Sequence, residues 1–300
     1  MSRIAIIGSG FVGNLTGRGF EDLGHDIIWY DIDHEKIENL RGCKNSRGSY
    51  ERASADIMDV VPQSDACFIC VPTPTINERQ DLSCIIGATR AVGKALKEHS
   101  EPYLVVNRST VLPGVTRGVV LSNLEETSGK KVGGDILLCH NPEFSTQING
   151  SWTNGEEFRR RFSDGRVIIG EFDQRSGDML EELYRPLGDG IFRFQLEGSE
   201  FLKYASNICL AARISYWNQM YEIAKHLGLN ENEIARVVGM DPRIGKYGTV
   251  CGMAYGGTCL PKDTQALIGY CKERGIEPSE FLAAIDSMNR HMTEMYGVRE

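Results

Sequence analysis

The stretch Gly8-Ser9-Gly10-Phe11-Val12-Gly13 follows directly on the apolar run Ile4 to Ile7 and opens an amphipathic segment. A G-x-G-x-x-G between a strand and a helix is a phosphate-binding turn. Gly8 permits the tight bend, Gly10 lets the backbone approach a pyrophosphate, and Gly13 lets the helix pack closely on the strand. The pyrophosphate then rests on the helix N-terminus, where N–H groups and the dipole favour an anion. Asp31, at the end of Trp29-Tyr30-Asp31 and 23 positions after Gly8, stands near the ribose-binding offset of about 20. A carboxylate there accepts from a ribose hydroxyl and repels a 2′-phosphate, so NAD is expected rather than NADP. Phe11, Val12 and Lys36 are grouped with the glycines and Asp31 as cofactor contacts. FAD is compatible with the fingerprint alone, and nothing later in the chain supports it.

Beyond that turn, short apolar runs alternate with amphipathic stretches, the pattern of β-α units around a mostly parallel sheet. Strands are expected at Arg3 to Ile7, Asp26 to Tyr30, Ala66 to Val71, Tyr103 to Asn107, Ile136 to Cys139, Arg166 to Ile169 and Ile191 to Phe194. Helices are expected near 11–23, 34–41, 82–98, 115–128 and 174–184. From about Gly198 the texture changes. Glu200 to Leu227 keeps helical periodicity without Pro or internal Gly, and Glu231 to Val238, Lys262 to Glu273 and Pro278 to His291 follow as further helices. The fold class read from this is α/β: a Rossmann-like, doubly wound sheet domain over 1–197, then a long connecting helix and a smaller all-helical domain over 198–300.

Acidic residues outnumber basic ones, 41 to 33, for a net charge of −8. With no basic run, phosphate-backbone electrostatics cannot drive nucleic-acid binding. No apolar stretch approaches the roughly 20 residues of a spanning helix, and the N-terminus enters a strand pattern at once, so a cytoplasmic location and no membrane partner are expected. Nine cysteines, unclustered, point to reduced thiols. Cys67 and Cys70 form a C-x-x-C inside a strand-like run, where alternation sends them to opposite faces as small buried hydrophobes; no metal is expected.

Four further stretches are similar to the UDP-glucose/GDP-mannose dehydrogenase family, in that family's order. Cys70-Val71-Pro72-Thr73-Pro74-Thr75 with Asp81-Leu82-Ser83 resembles its third-strand loop, and Arg108-Ser109-Thr110-Val111 with Pro113-Gly114 its S-T-V loop. Asn141-Pro142-Glu143-Phe144 resembles its N-P-E-F turn. Gly256-Gly257-Thr258-Cys259-Leu260-Pro261-Lys262-Asp263 resembles its cysteine loop, with Thr in place of Ser. The resemblance runs over essentially all 300 residues. It implies NAD-dependent oxidation of a nucleotide sugar's primary alcohol, first to the aldehyde and then to the acid, with Cys259 as the nucleophile that carries the thiohemiacetal and thioester.

The same resemblance implies roles for other residues. Lys203 stabilises the oxyanion and Asn207, four positions on and so on the same helix face, orients the reacting group. By residue type alone such a pair is a solvated polar face. Asp263 activates water or assists proton transfer, Thr110 holds that water, and Glu143 is the acid or base of hydrolysis. Val71, Pro72, Thr73, Ser109, Thr110 and Lys262 join the cofactor contacts, with Lys262 also a cation near Cys259. Phe144, Arg243, Gly256 and Gly257 join Glu143, Lys203 and Asn207 as substrate contacts; an ordinary surface arginine is the other reading of Arg243.

The sequence also departs from the pattern. Ser145-Thr146-Gln147-Ile148-Asn149-Gly150 replaces an acidic, Gly-containing loop that contacts substrate, and the segment between Leu40 and Ala55 lacks the usual E-P-G. The chain ends at Glu300, where family members continue into a nucleotide-clasping domain, so a short member is expected. Two other readings stay open: a two-electron dehydrogenase of the 3-hydroxyacid type, which needs no thiol, and a nonenzymatic NAD-binding homologue. A homodimer through Glu200 to Leu227 is expected because Phe201, Ile208, Ala211, Ala212, Ile214, Trp217 and Met220 cover more than one face. An intramolecular core accounts for the same breadth.

Overall fold

The computed structural model describes residues 1–145, 152, 162–188, 190–277 and 279–299. The loop residues 146–150 and Pro278, both singled out above, lie outside them.

The strands are β1 (Arg3–Ile7), β2 (Asp26–Tyr30), β3 (Arg52–Ser54), β4 (Ala66–Ile69), β5 (Thr75–Ile76), β6 (Arg79–Gln80), β7 (Tyr103–Asn107), β8 (Ile136–His140), β9 (Arg166–Glu171), β10 (Gly190–Gln195), β11 (Ala254–Tyr255) and β12 (Val298–Arg299). The helices are α1 (Phe11–Asp22), α2 (His34–Arg41), α3 (Ser83–Ala95), α4 (Leu121–Ser128), α5 (Gln174–Tyr184), α6 (Leu196–His226), α7 (Glu231–Val238), α8 (Leu260–Arg274) and α9 (Glu280–Tyr296). A π-helical stretch, Thr116–Val120, leads into α4. The sequence reading omits β3, the hairpin β5–β6 and the pair β11–β12. It also starts the long helix four residues late: α6 begins at Leu196, immediately after β10.

Clustering divides the chain into two compact units, neither of them contiguous: one holds 1–73, 81–144 and 161–203, the other 74–80, 145–160 and 204–300. In the first, eight strands form one sheet in the order β10-β9-β8-β7-β4-β1-β2-β3. All pairs are parallel except β8–β9. The chain therefore leaves β1 toward β2 and β3, then returns past β1 to β4. This reversal is the switch point at which doubly wound sheets bind ligands.

Strands buried on both faces explain the continuous apolar runs. Ala5, Ile7, Cys67, Ile69, Val105 and Leu138 pack on one face with Ile85 and Val92 of α3 and Leu124 of α4. Ile4, Ile6, Phe68, Val106 and Leu137 pack on the other with Phe20 of α1, Ile37 of α2 and Leu180 of α5. Cys67 falls in the first set and Cys70 in the second. Burial pushes both thiols up to about 12, which leaves them inert as nucleophiles.

The second unit is mainly helical. The hairpin β5–β6 lies on α8: a Cβ added at Gly269 would collide with the Glu78 carbonyl, and Lys272 pairs with Glu78 at 2.6 Å and Arg79 with Glu273 at 3.4 Å. Trp217, Ala235 and Cys251 form a small core. On α6, Ile208, Ala211, Ile214 and Trp217 are buried. Most of the apolar breadth read as a dimer surface is therefore intramolecular core.

Candidate active site

The cofactor half lies in the first unit. Gly8 has φ +98°, and a Cβ there would meet the Cys70 carbonyl oxygen at 2.7 Å. A Cβ on Gly13 would collide with the carbonyl oxygen of Gly8, whereas one on Gly10 would meet nothing within 4 Å. The turn is thus tight on the protein side and open where a pyrophosphate would approach. Helix α1 has no side-chain cap and no acid in its first turn, which leaves its positive end suited to an anion. Gly13→Ala is expected to cost about 1–3 kcal/mol through overpacking, measured as a fall in melting temperature with weakened NAD binding.

Asp31 is buried at the end of β2. Its Oδ2 accepts from the Ser9 N–H at 2.7 Å and the Ser9 hydroxyl at 2.8 Å, and its Oδ1 accepts from the Asp33 N–H at 3.0 Å. Burial alone would raise its pKa, but these bonds and Lys36, 3.7 Å from Oδ2, outweigh it and hold the group below the ordinary carboxylate value. A carboxylate offers about four lone-pair directions, so three bonds leave one for a ribose hydroxyl. These residues fit NAD.

The loops at the carboxyl ends of β4, β7 and β8 complete this half. Ser109 Oγ accepts from the Val71 N–H at 3.0 Å and donates to the Val71 carbonyl at 2.7 Å, and the Thr73 hydroxyl donates to the Thr110 carbonyl at 2.7 Å. Arg108, buried beneath them, donates to the Thr16 hydroxyl at 2.8 Å, to both Asn141 oxygens and to the Tyr184 hydroxyl at 3.2 Å. His140 takes Ser199 Oγ at 2.8 Å, and burial lowers its pKa to about 3, so it stays neutral.

The first turns of α6 meet the same loops. Lys203 is buried and donates to the Glu143 carbonyl; its ammonium stands 3.5 Å from Glu143 Oε1 and 4.9 Å from the Phe144 ring centroid. The Asn-Pro-Glu-Phe turn thus surrounds the lysine with a carbonyl, a carboxylate and an aromatic face.

In the second unit Cys259 is partly exposed and stands at the N-cap of α8, with the Thr258 hydroxyl 3.8 Å from its sulfur. Pro261 occupies the first turn, where a missing N–H costs nothing. Asp263, fully buried, accepts from the Asn207 amide at 2.7 Å and from Lys262 at 2.5 Å. Two buried asparagines hold the glycine-rich segment ahead of the cysteine. Asn218 of α6 donates to the Met253 carbonyl at 2.9 Å and accepts from the Gly252 N–H at 2.9 Å. Asn289 of α9 accepts from the Tyr255 N–H at 2.8 Å and donates to its carbonyl at 3.0 Å. Gly256 and Gly257 join that segment to α8.

The first unit therefore brings together Gly8, Gly10, Phe11, Val12, Gly13, Asp31, Lys36, Val71, Pro72, Thr73, Ser109, Thr110, Glu143, Phe144 and Lys203. The second holds Asn207, Arg243, Gly256, Gly257, Cys259, Lys262 and Asp263. Lys262 is engaged by Asp263. Arg243 stands on a turn with its side chain 87% exposed, paired with Asp241 at 2.6 Å. The supporting residues Glu200, Asn218 and Asn289 carry no motif signal. Arg108 and Asn141 sit inside quoted motifs, and only the structure shows what they hold.

A doubly wound sheet with a glycine turn at its switch point and a buried acid at the end of the second strand is the architecture of a dinucleotide-binding domain. The chain belongs to the UDP-glucose/GDP-mannose dehydrogenase family: residues 2–188 match its NAD binding domain and residues 197–291 its central domain. It is 32% identical to UDP-glucose 6-dehydrogenase AglM of Haloferax volcanii over 302 residues, covering 94% of this chain and 68% of that protein. It is 34% identical to GDP-mannose 6-dehydrogenase of Pseudomonas aeruginosa, covering 92% and 65%. The solved UDP-glucose dehydrogenase of Pyrobaculum islandicum superposes with a TM-score of 0.88 at 29% identity, covering 98% of this chain and 69% of that one. The chain thus spans about two thirds of the length of these relatives. Among the described residues, no helix is long and apolar enough to cross a membrane.

Proposed function

We propose that this chain oxidises the primary alcohol of a nucleotide sugar, or of a related nucleotide-linked substrate, to a carboxylate, using NAD and a covalent intermediate on Cys259. The observation that carries the reading is the second-unit constellation: a thiol at the head of α8 with the buried Asp263, one turn on, held by Asn207 of α6 and by Lys262. A two-electron alcohol dehydrogenase needs no such thiol.

Held at the glycine turn and Asp31, NAD would supply the hydride acceptor for both oxidations. The alcohol loses a hydride and its hydroxyl proton to become an aldehyde. The Cys259 sulfur adds to the aldehyde carbon as its proton passes to the oxygen, forming a thiohemiacetal. Loss of a second hydride and a proton gives the thioester, and water displaces the thiol to release the carboxylate. Lys203 stabilises the developing oxyanion, Asn207 orients the reacting group, and Asp263 moves the proton. Thr110 holds the water, with Glu143 as acid or base. Gly8, Gly10, Phe11, Val12, Gly13, Asp31, Lys36, Val71, Pro72, Thr73, Ser109 and Lys262 hold the cofactor. Phe144, Gly256, Gly257 and Arg243 contact the substrate.

A homodimer through α6 and a cytoplasmic location belong to the same reading. Phe201, Tyr216 and Ile223 are 54%, 54% and 47% exposed, and their spacing puts them on one stripe of the helix.

A screen of NADH formation across UDP- and GDP-linked sugars tests the function. Two NADH per carboxylate are expected; one NADH with free aldehyde as the final product overturns the thioester route. Asp31→Ala is expected to weaken NAD binding about 10–100-fold, as for loss of a charge-assisted hydrogen bond. Titration calorimetry giving an unchanged affinity would remove Asp31 from the ribose site.

A further inference from the structure

Three side chains in the first turns of α6 are buried and polar: Ser199, Glu200 and Lys203. Ser199 meets His140 and Lys203 meets Glu143. Glu200 does something different: its Oε2 accepts from the Gly114 N–H at 2.6 Å and its Oε1 from the Thr116 N–H at 2.7 Å. These amides open the π-helical stretch that leads into α4, which has no side-chain cap of its own. Helix starts leave N–H groups without intrahelical partners and favour a negative charge. Here that charge comes from another helix, more than 80 residues away. The same loop carries Ser109 and Thr110, the residues that grip the Val71 and Thr73 backbone and side chain.

We propose that Glu200 is a positioning residue, its ionised carboxylate fixing the Ser109–Thr116 loop to the helix that bears Lys203, and that its protonation loosens the hold on one of the two amides and slows the reaction. The proposal rests on the functional reading above. Protonation turns one of the two accepting oxygens into a hydroxyl, a weaker acceptor for an N–H, so the carboxylate holds the two amides more firmly than the acid. Burial pushes this carboxyl up to about 7, against the opposing pull of Thr116 and Gly114. The charged groups acting on it are Glu197 on its own helix and Arg117 on the capped one, which pair with each other at 2.5 Å.

The two consequences have opposite signs. Because the folded chain holds this proton more tightly than the unfolded one, with its ordinary 4.5, the group's contribution to stability is present below about pH 4.5. It is lost as pH rises through about 7. Activity, which needs the carboxylate, rises over the same interval.

Wild type, Glu200→Gln and Glu200→Asp, as the full chain, test this by three readings: kcat and KM against pH, melting temperature against pH, and amide exchange at Gly114 and Thr116. Wild type is expected to show a kcat limb near pH 7 and a melting temperature that falls across it. Glu200→Gln is expected to lose both dependences. Its kcat should fall roughly tenfold and exchange at Gly114 or Thr116 should quicken by about as much, as for one lost hydrogen bond, with KM for NAD little changed. Glu200→Asp should retain a limb, displaced in pH. A Glu200→Gln variant that keeps the wild-type limb and the wild-type amide protection overturns the proposal. Wild type inactive on every nucleotide sugar overturns the functional reading instead, and amide exchange still judges Glu200.

Discussion

The Cys259→Ser variant is expected to lose carboxylate formation by on the order of 10³-fold or more, as when a nucleophile is removed from a residue set that acts as a unit. A serine hydroxyl adds to an aldehyde reversibly, but it is a weaker nucleophile than sulfur and its ester a poorer acyl donor to water. Turnover therefore halts after the first oxidation, at free aldehyde or at an adduct. Single-turnover measurement should then give no more than one NADH per site, against two in wild type. Because Cys259 is partly exposed at the head of α8, and its sulfur meets only the Thr258 hydroxyl among the described contacts, the substitution should leave the melting temperature nearly unchanged. Carboxylate produced at the wild-type rate would sink the thioester mechanism.

Lys203→Met should be nearly as damaging, for two reasons that can be separated. Removing a preorganised cation from a developing oxyanion costs on the order of 10²–10³-fold in kcat. It also takes the ammonium away from Glu143, whose carboxylate is about as buried as the lysine. Breaking one side of a buried pair costs about 3–5 kcal/mol, so the melting temperature should fall by several degrees. Adding Glu143→Gln to Lys203→Met removes the buried negative charge that faced the lysine and should recover part of that stability while recovering no activity. If the double variant regained both, neither Lys203 nor Glu143 would take part in the chemistry.

These expectations come from residues that the sequence makes visible, and the reason is physical. The glycine turn, Asp31 and the cysteine loop are chemical requirements met by contiguous residues, so they show in a linear pattern. β1, β4, β7 and β8 are buried on both faces and appear as unbroken apolar runs. The hairpin β5–β6 and the strands β3, β11 and β12 are two or three residues long, too short for any alternation to register. Asn218 and Asn289 act through backbone contacts to a distant loop, which no local spacing announces. Periodicity also leaves the inward face of α6 undecided: Ile208 and Trp217 are interior, while Tyr216, the next residue to Trp217, faces outward. Glu200, read only as the start of that helix, turns out to be an acid buried among amides that lie far from it in the chain.

The interleaving of the two compact units bears on how such a chain can be taken apart or recombined. Residues 74–80 leave the nucleotide-binding sheet's sequence to sit on α8, where Glu78 lies over Gly269 and meets Lys272. A single cut therefore strips the C-terminal piece of its hairpin, uncovering the back of the helix whose first residue follows Cys259. In exchanges between relatives, the unit of inheritance for the thiol's surroundings is not a contiguous stretch. It includes, besides the C-terminal helices, seven residues encoded more than a hundred positions earlier.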